Sequence, residues 1–226
     1  MLTSGELLAS RAALTYSPFH VIAFLLALGT LFAVVIFFSF LSRQKNIAKN
    51  LALKAEDVWP QIRDAGFDFS DLLYGIWEDF SATERGMVVR DSYDRKVATI
   101  IYHTAVLQGS IMIETADGTF EADLAPDWRE RFSLRTTRDR SQSLCEFTRL
   151  VGGEYLFTAN SLGALNSKPP GGLSVSPLFE YTLKGKPVGA SRRIGRAFDK
   201  GHMLVLPQHL PLPIRLFVLA MQGRRS

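Results

Sequence analysis

The uncharged apolar run from Phe19 to Leu41 constrains this chain more than any other feature. It reads FHVIAFLLALGTLFAVVIFFSFL, and His20 is its only strongly polar residue. A helix rises about 1.5 Å per residue, so about 20 apolar residues cross the hydrocarbon layer of a bilayer. Backbone groups inside lipid must bond to each other, which favours a helix. The run predicts one transmembrane helix over residues 19–42, preceded by an outer segment, residues 1–18.

Two alternative interpretations of this run are weaker. A cleaved signal peptide has an apolar region of about 7–15 residues followed by an A-x-A site. This run is longer, and Ser39, Phe40 and Leu41 do not form such a site. A buried core helix would not need apolar residues on both faces over this length.

Basic residues near the ends of the run predict its orientation. Only Arg11 precedes it, whereas four basic residues follow within a short distance: Arg43, Lys45, Lys49 and Lys54. Because cytoplasmic flanks carry the excess of Lys and Arg, the N-terminus should lie outside and residues 42–226 in the cytoplasm. We expect an inner or plasma membrane location. A single cysteine, Cys145, agrees with a reducing compartment.

The net charge of +4 conceals a strong asymmetry. Residues 55–128 hold 5 basic and 15 acidic residues, whereas residues 129–226 hold 16 basic and 6 acidic residues. The chain has no zinc-finger spacing, RNP-like strand or basic heptad region, so we expect no nucleic-acid partner. A tethered basic face suits anionic lipid head groups or an acidic protein. Alternatively, the two halves neutralise each other within one domain.

Residues 43–84 form a predicted connector. Residues 43–58 have helical spacing and strong helix formers, and Pro60 should end that helix. The acidic and aromatic residues 61–84 predict a second short helix, capped by Asp68 or Ser70. Its apolar face would consist of Phe67, Phe69, Leu72, Leu73, Ile76, Trp77 and Phe80.

From Gly86 onward the hydrophobic pattern alternates with a period of two. Hairpins are predicted over residues 87–103, 109–124 and 131–150, the second with an Asp-Gly turn signal. A strand at 154–160, a loop at 166–177 and a hairpin at 179–194 follow. This rhythm gives about nine or ten short strands and predicts an antiparallel barrel or sandwich. The fold class is thus one N-terminal transmembrane α-helix plus a mainly antiparallel β domain, residues 85–226.

The chain ends in a different element. Pro213 suits a first helical turn, and residues 214–223 are apolar nearly all round, with Arg215 as the exception. At about ten residues this helix is too short to span a bilayer, so it should be buried inside protein. The alternative is a tail that dips into the membrane.

These elements together resemble the tubby-like superfamily, which includes the LURP-one-related and phospholipid-scramblase-like proteins. The matching segments are MVVRDSYDRKVATIIYH, IMIETADGTFEADL, FEYTLKGKPVGASRRIG and HMLVLPQHLPLPIRLFVLAM, within residues 85–222. The resemblance implies a closed antiparallel barrel of about twelve strands around an apolar C-terminal helix. The scramblase-like branch, however, has its membrane helix at the C-terminus, whereas the anchor here is N-terminal.

The resemblance also implies binding of anionic lipid. Tubby proteins bind phosphoinositides through a pocket of Lys and Arg residues, which cannot be aligned residue by residue onto this chain. The candidate contacts for anionic lipid or a partner protein are chosen by clustering alone: Lys184, Lys186, Arg192, Arg193 and Arg196.

Catalytic motifs are absent from the sequence, which lacks G-x-G-x-x-G, G-x-x-x-x-G-K-[ST], H-E-x-x-H and G-x-S-x-G. His202 and His209 lie seven residues apart, which is not a zinc spacing. Cys145 has no base at a position that the sequence reveals. We therefore expect no catalytic site, no metal and no cofactor.

These observations leave three functional hypotheses. The first is a non-catalytic, single-pass accessory subunit that docks on a larger membrane complex, such as a photosynthetic or respiratory one. Its layout resembles that of the H subunit of bacterial reaction centres. Gly29 and Ala33 form a small-xxx-small pair suited to helix packing. The second hypothesis is a lipid-binding or lipid-handling module, and the third is an enzyme of unrecognised type.

Overall fold

The computed structural model describes residues 18–80, 84–104, 109–125, 130–150, 154–168, 178–195 and 200–224. The described chain divides into two units at residue 46. The first contains most of helix α1, Pro18–Leu51. An 18-residue window of this helix, Val21–Phe38, has a mean hydropathy of 2.9 and no buried residue. The helix thus has the length and composition of a membrane span, as the sequence predicts.

The second unit, from Ile47 onward, is built on a closed barrel of twelve antiparallel strands. Each strand pairs with its sequence neighbours, and β1 closes the barrel against β12. The strands are β1 Leu72–Asp79, β2 Arg85–Asp91, β3 Lys96–Thr104, β4 Gly109–Thr115, β5 Gly118–Ala125, β6 Arg131–Thr136, β7 Cys145–Arg149, β8 Tyr155–Ala159, β9 Gly163–Lys168, β10 Phe179–Leu183, β11 Lys186–Ile194 and β12 Gly201–Val205.

Side chains that point alternately inward and outward along the strands form the core. In β4, Ile111 and Ile113 are fully buried inside the barrel, whereas Met112 between them is only partly buried. Successive side chains of a strand point to opposite faces of the sheet. The predicted hairpins are present, and the Asp-Gly signal marks the turn between Thr115 and Gly118. The antiparallel barrel is therefore confirmed.

Helix α3, Leu212–Gly223, fills the barrel. Every residue from Ile214 to Gly223 is buried, as the apolar pattern predicts. Inward-facing tyrosines bind its polar groups: Tyr102 donates to the Ala220 carbonyl at 2.8 Å, and the Gln222 amide donates to the Tyr181 hydroxyl at 2.5 Å. These bonds satisfy polar groups that would be costly to bury alone.

One predicted helix is wrong. The apolar residues around Leu72–Trp77 form strand β1, so the barrel begins at residue 72 and not at residue 85. Strand β1 is buried on both faces, because Leu73 and Trp77 face the core while Leu72, Tyr74 and Ile76 face a second apolar cluster outside the barrel. A strand covered on both faces loses the alternation that identifies strands in a sequence.

The second cluster lies beneath a covering segment, residues 52–71, which packs on β1, β11 and β12. It contains the short helix α2, Ala55–Val58, and three single turns of 3₁₀-helix. The predicted helix over residues 43–58 is thus interrupted after Leu51, and Pro60 lies within a 3₁₀ turn. Asp68 does cap a turn, since its side chain accepts from the Ser70 N–H.

The barrel has two unlike ends. Because neighbouring strands are antiparallel, five short connections share one end with the start of α3; we call this the turn end, defined by residues 92–95, 116–117, 137–144, 160–162 and 184–185. The opposite end, which we call the loop end, holds the last residues of β1, β3, β5, β7, β9 and β11 and the end of α3. Of the predicted loop 166–177, residues 166–168 continue strand β9, and residues 169–177 lie outside the described part of the chain.

Candidate functional site

The structure divides the candidate basic residues between the two ends of the barrel. Lys184 lies in the β10–β11 turn, Lys186 begins β11, and both are exposed. The backbone φ angles of Lys184 and Gly185 are 51° and 77°, and positive values at both central residues define a tight hairpin turn. This turn places the two ammonium groups at the turn end.

Arg192 and Arg193 lie near the opposite end of β11. Arg192 lies six positions after Lys186, which is about 20 Å along an extended strand. The Arg192 guanidinium donates to the Gln61 carbonyl at 2.8 Å and so holds the covering segment on the barrel. Arg196 lies outside the described residues. The four described candidates, Lys184, Lys186, Arg192 and Arg193, therefore do not form one continuous basic surface.

Charges of opposite sign are interleaved at the turn end. Arg95 pairs with Asp91 at 2.7 Å, and Arg140 pairs with Glu121. The second pair joins the basic half of the sequence to its acidic half, as expected if the two halves neutralise each other within one domain. A mixed surface of this kind attracts anions only weakly over a distance.

The candidate helix-packing pair, Gly29 and Ala33, lies on an exposed part of α1. A Cβ atom built on Gly29 has no neighbour within 4 Å, and Ala33 is exposed on the same helix face one turn later. Thr30 bonds back to the Leu26 carbonyl at 2.8 Å, so its hydroxyl is satisfied within the helix. Small residues spaced in this way allow a second helix to approach closely.

The thiol and the described histidines do not assemble a reactive group. Cys145 faces the core, is 1 % exposed, and has its pKa raised to about 12 by burial and then by Glu146. A thiol with such a pKa is scarcely ionised and is a poor nucleophile. His202 is buried with its ring roughly perpendicular to that of Trp77, His103 Nδ1 lies 3.6 Å from Oε1 of Glu84, and His209 lies at the turn end. In the described residues no three His, Cys, Asp or Glu side chains are grouped to hold a metal.

A cavity of about 380 Å³ opens at the loop end of the barrel, and the sequence did not point to it. Its charged lining consists of Arg149, Arg224 and Glu130. The Glu130 carboxylate lies 3.4 Å from Arg149 Nη1 and 3.8 Å from Arg224 Nε. Burial lowers the pKa of Arg224, while Glu130 acts in the opposite direction. One carboxylate thus faces two guanidinium groups.

The other wall of this cavity is apolar. It consists of Phe147, Tyr155, Phe179 and Met221. The rings of Phe147 and Tyr155 are stacked with centroids 5.5 Å apart, and Tyr155 meets Phe179 edge-on at 6.4 Å. We call this cavity, with its charged and apolar walls, the loop-end pocket.

Sequence reasoning missed the loop-end pocket because its walls are distant in the chain. Glu130 precedes β6, Arg149 ends β7, and Arg224 follows α3. Only closure of the barrel and insertion of α3 bring them together. Comparison of the chain with protein-family models, with curated proteins and with solved structures finds no match.

Proposed function

We propose that the protein is a non-catalytic, single-pass accessory subunit that docks on a larger membrane-protein complex. In this proposal α1 spans an inner or plasma membrane, the N-terminus lies outside, and the barrel is cytoplasmic. The partner is a membrane protein that packs a helix against Gly29 and Ala33. A photosynthetic or respiratory complex is the type of assembly that we propose.

The observation that supports this proposal most is the filling of the barrel by its own helix. Because α3 occupies the interior, the outer surface and the two ends remain for interaction. The only described thiol is buried and scarcely ionised, which makes nucleophilic chemistry at Cys145 unfavourable. An exposed apolar helix joined to a filled barrel suits docking on a partner protein better than catalysis.

The barrel architecture also supports assignment to the tubby-like superfamily, as a proposal. Twelve antiparallel strands closed around a C-terminal helix are what that resemblance implies. A shared fold does not carry a shared activity, so lipid binding does not follow from it.

Affinity purification tests the accessory-subunit proposal. The tagged full chain, extracted from its native membrane in mild detergent, should retain another membrane protein in fixed stoichiometry. Gly29→Leu should reduce that retention at least about tenfold, because the larger side chain prevents close helix approach. Leu31→Phe, which enlarges an apolar side chain on the opposite face of the helix, is the matched control and should leave retention unchanged. A wild-type chain that emerges alone would contradict the proposal.

The second candidate is a module that binds anionic lipid. It is favoured by the exposure of Lys184 and Lys186 at the tip of a tight turn. Amide hydrogen exchange of this turn should slow when anionic lipid is added to nanodiscs carrying the full chain, and salt should reverse the effect. Exchange that is indifferent to anionic lipid would remove this candidate.

A further inference from the structure

The loop-end pocket combines an apolar wall with a cationic rim. Its volume of about 380 Å³ lies within the range of roughly 300–1,000 Å³ typical of small-molecule sites. Phe147 and Met221 in its wall are each 2 % exposed, so the wall is part of the rigid core. Core packing therefore holds this part of the wall in place.

The charge balance of the rim favours an anion. Arg149 and Arg224 contribute two positive charges, and Glu130 contributes one negative charge. Each guanidinium has five N–H donors, whereas a carboxylate offers about four acceptor sites. The distances of 3.4 and 3.8 Å show that Glu130 holds neither arginine in a short bidentate pair. A second carboxylate can therefore be accommodated.

Both arginines are positioned for such a ligand. The Arg224 guanidinium lies over the Phe132 ring, 4.3 Å from its centroid, which fixes its plane at the pocket wall. The Arg149 side chain is 55 % exposed and reaches the pocket from the end of β7. A planar guanidinium binds a carboxylate through two parallel hydrogen bonds.

We infer that the loop-end pocket binds a single-chain anionic amphiphile of the fatty-acid type. The carboxylate head lies between Arg149 and Arg224, and the acyl chain lies against Phe147, Tyr155, Phe179 and Met221. Glu130 competes with the ligand head for the two guanidinium groups. This site is separate from the proposed helix contact, so its failure would leave the accessory-subunit proposal untouched.

A direct test follows the methyl signal of Met221 in the full chain, labelled at its methionine methyl groups and held in zwitterionic nanodiscs. Octanoate should shift this signal saturably, acetate should not at equal free concentration, and octanol should need a higher free concentration than octanoate for the same shift. Met203 is an internal reference, since it packs on the outer face of the barrel. Within the series butanoate, hexanoate and octanoate, affinity should rise up to about fourfold for each methylene group that is buried.

Three variants separate head recognition from general folding effects. Arg149→Gln should weaken octanoate binding about tenfold, as expected for a lost charged hydrogen bond. Glu130→Gln should strengthen binding several-fold, because it removes the competing carboxylate. Arg140→Gln is the matched control, an exposed arginine paired with Glu121 at the turn end, and should leave binding unchanged.

Three results would overturn the inference. They are an unshifted Met221 signal up to the solubility limit of octanoate, equal affinity for octanol and octanoate, and equal effects of Arg149→Gln and Arg140→Gln. The gain expected from Glu130→Gln keeps the test decisive, because a variant that merely weakens folding cannot produce tighter binding.

Discussion

The Tyr74 hydroxyl donates a 2.6 Å hydrogen bond to Oδ1 of Asp94. The same oxygen accepts from the Ala55 N–H, also at 2.6 Å. Tyr74 lies on the outer face of β1, Asp94 lies in the β2–β3 turn, and Ala55 begins α2. One carboxylate thus joins the covering segment to the turn end of the barrel.

Asp94→Asn should weaken this junction without altering the turn. Asp94 has a positive φ of 62°, a conformation that Asn also tolerates. Loss of the charge weakens two hydrogen bonds, each of which has a charged acceptor, so the free energy of unfolding should fall by about 1–2 kcal/mol. Urea unfolding monitored by near-UV circular dichroism measures this free energy. Asp117→Asn, in an exposed turn, is the control and should change the free energy of unfolding by less than about 0.5 kcal/mol. Equal losses in the two variants would contradict the role of Asp94.

The same carboxylate should make the junction sensitive to acid. Burial tends to raise the pKa of Asp94, but the hydrogen bonds from Tyr74 and Ala55 and the positive charges of Lys54 and Arg90 together hold this pKa below its ordinary value. A lowered folded-state pKa means that the stabilisation is complete above about pH 4 and is lost as the pH falls through the folded pKa. The Ala55 amide chemical shift should report that loss in the wild type. A similar titration in Asp94→Asn would show that another group is responsible.

Gly86 should tolerate no side chain. A Cβ at this position would lie 2.0 Å from the Ile100 carbonyl oxygen, so strands β2 and β3 would have to separate. Gly86→Ala should cost about 3 kcal/mol or more, measured by urea unfolding. At Gly185, with φ of 77° and open space around its Cβ position, Gly185→Asn should cost less than about 1 kcal/mol. A mild effect at Gly86 would contradict the strand register.

The proposed orientation predicts a labelling pattern. Cys145 is buried, so the wild type provides an unreactive background for a membrane-impermeant maleimide. Lys184→Cys should be labelled only after the membrane is opened, whereas Ser4→Cys should be labelled in intact cells. The opposite pattern would place the barrel outside the cell.

Much of the fold could be predicted from the sequence, because its local signals agree with its tertiary structure. Two pairs in the sequence, Asp117-Gly118 and Lys184-Gly185, mark hairpin turns, because glycine adopts the positive φ angles that tight turns need. The apolar residues after Pro213 predict a buried helix, and α3 is buried inside the barrel.

Strand β1 could not be predicted, for a physical reason. Leu72, Leu73, Ile76 and Trp77 have a helix-like spacing because both faces of this strand are covered. The covering segment responsible for one of those faces is itself irregular, with one short helix and three 3₁₀ turns. Periodicity therefore indicated a helix where a doubly buried strand lies.

The candidate sites were less predictable than the fold. Lys186 and Arg192 are close in sequence but lie near opposite ends of β11, because an extended strand separates its residues rapidly. Conversely, Glu130 and Arg224 are far apart in sequence and meet at the loop end. Clustering along the chain is a poor guide to clustering in a barrel.

The native mass of the assembly tests the central proposal most directly. Mass photometry of the tagged chain in discs cut from its own membrane should give a protein mass well above that of one chain. Mass spectrometry of the same particles should identify a second membrane protein, and Gly29→Leu should return the mass to that of the single chain. A wild-type particle containing one chain, or only copies of this chain, would contradict an accessory-subunit function.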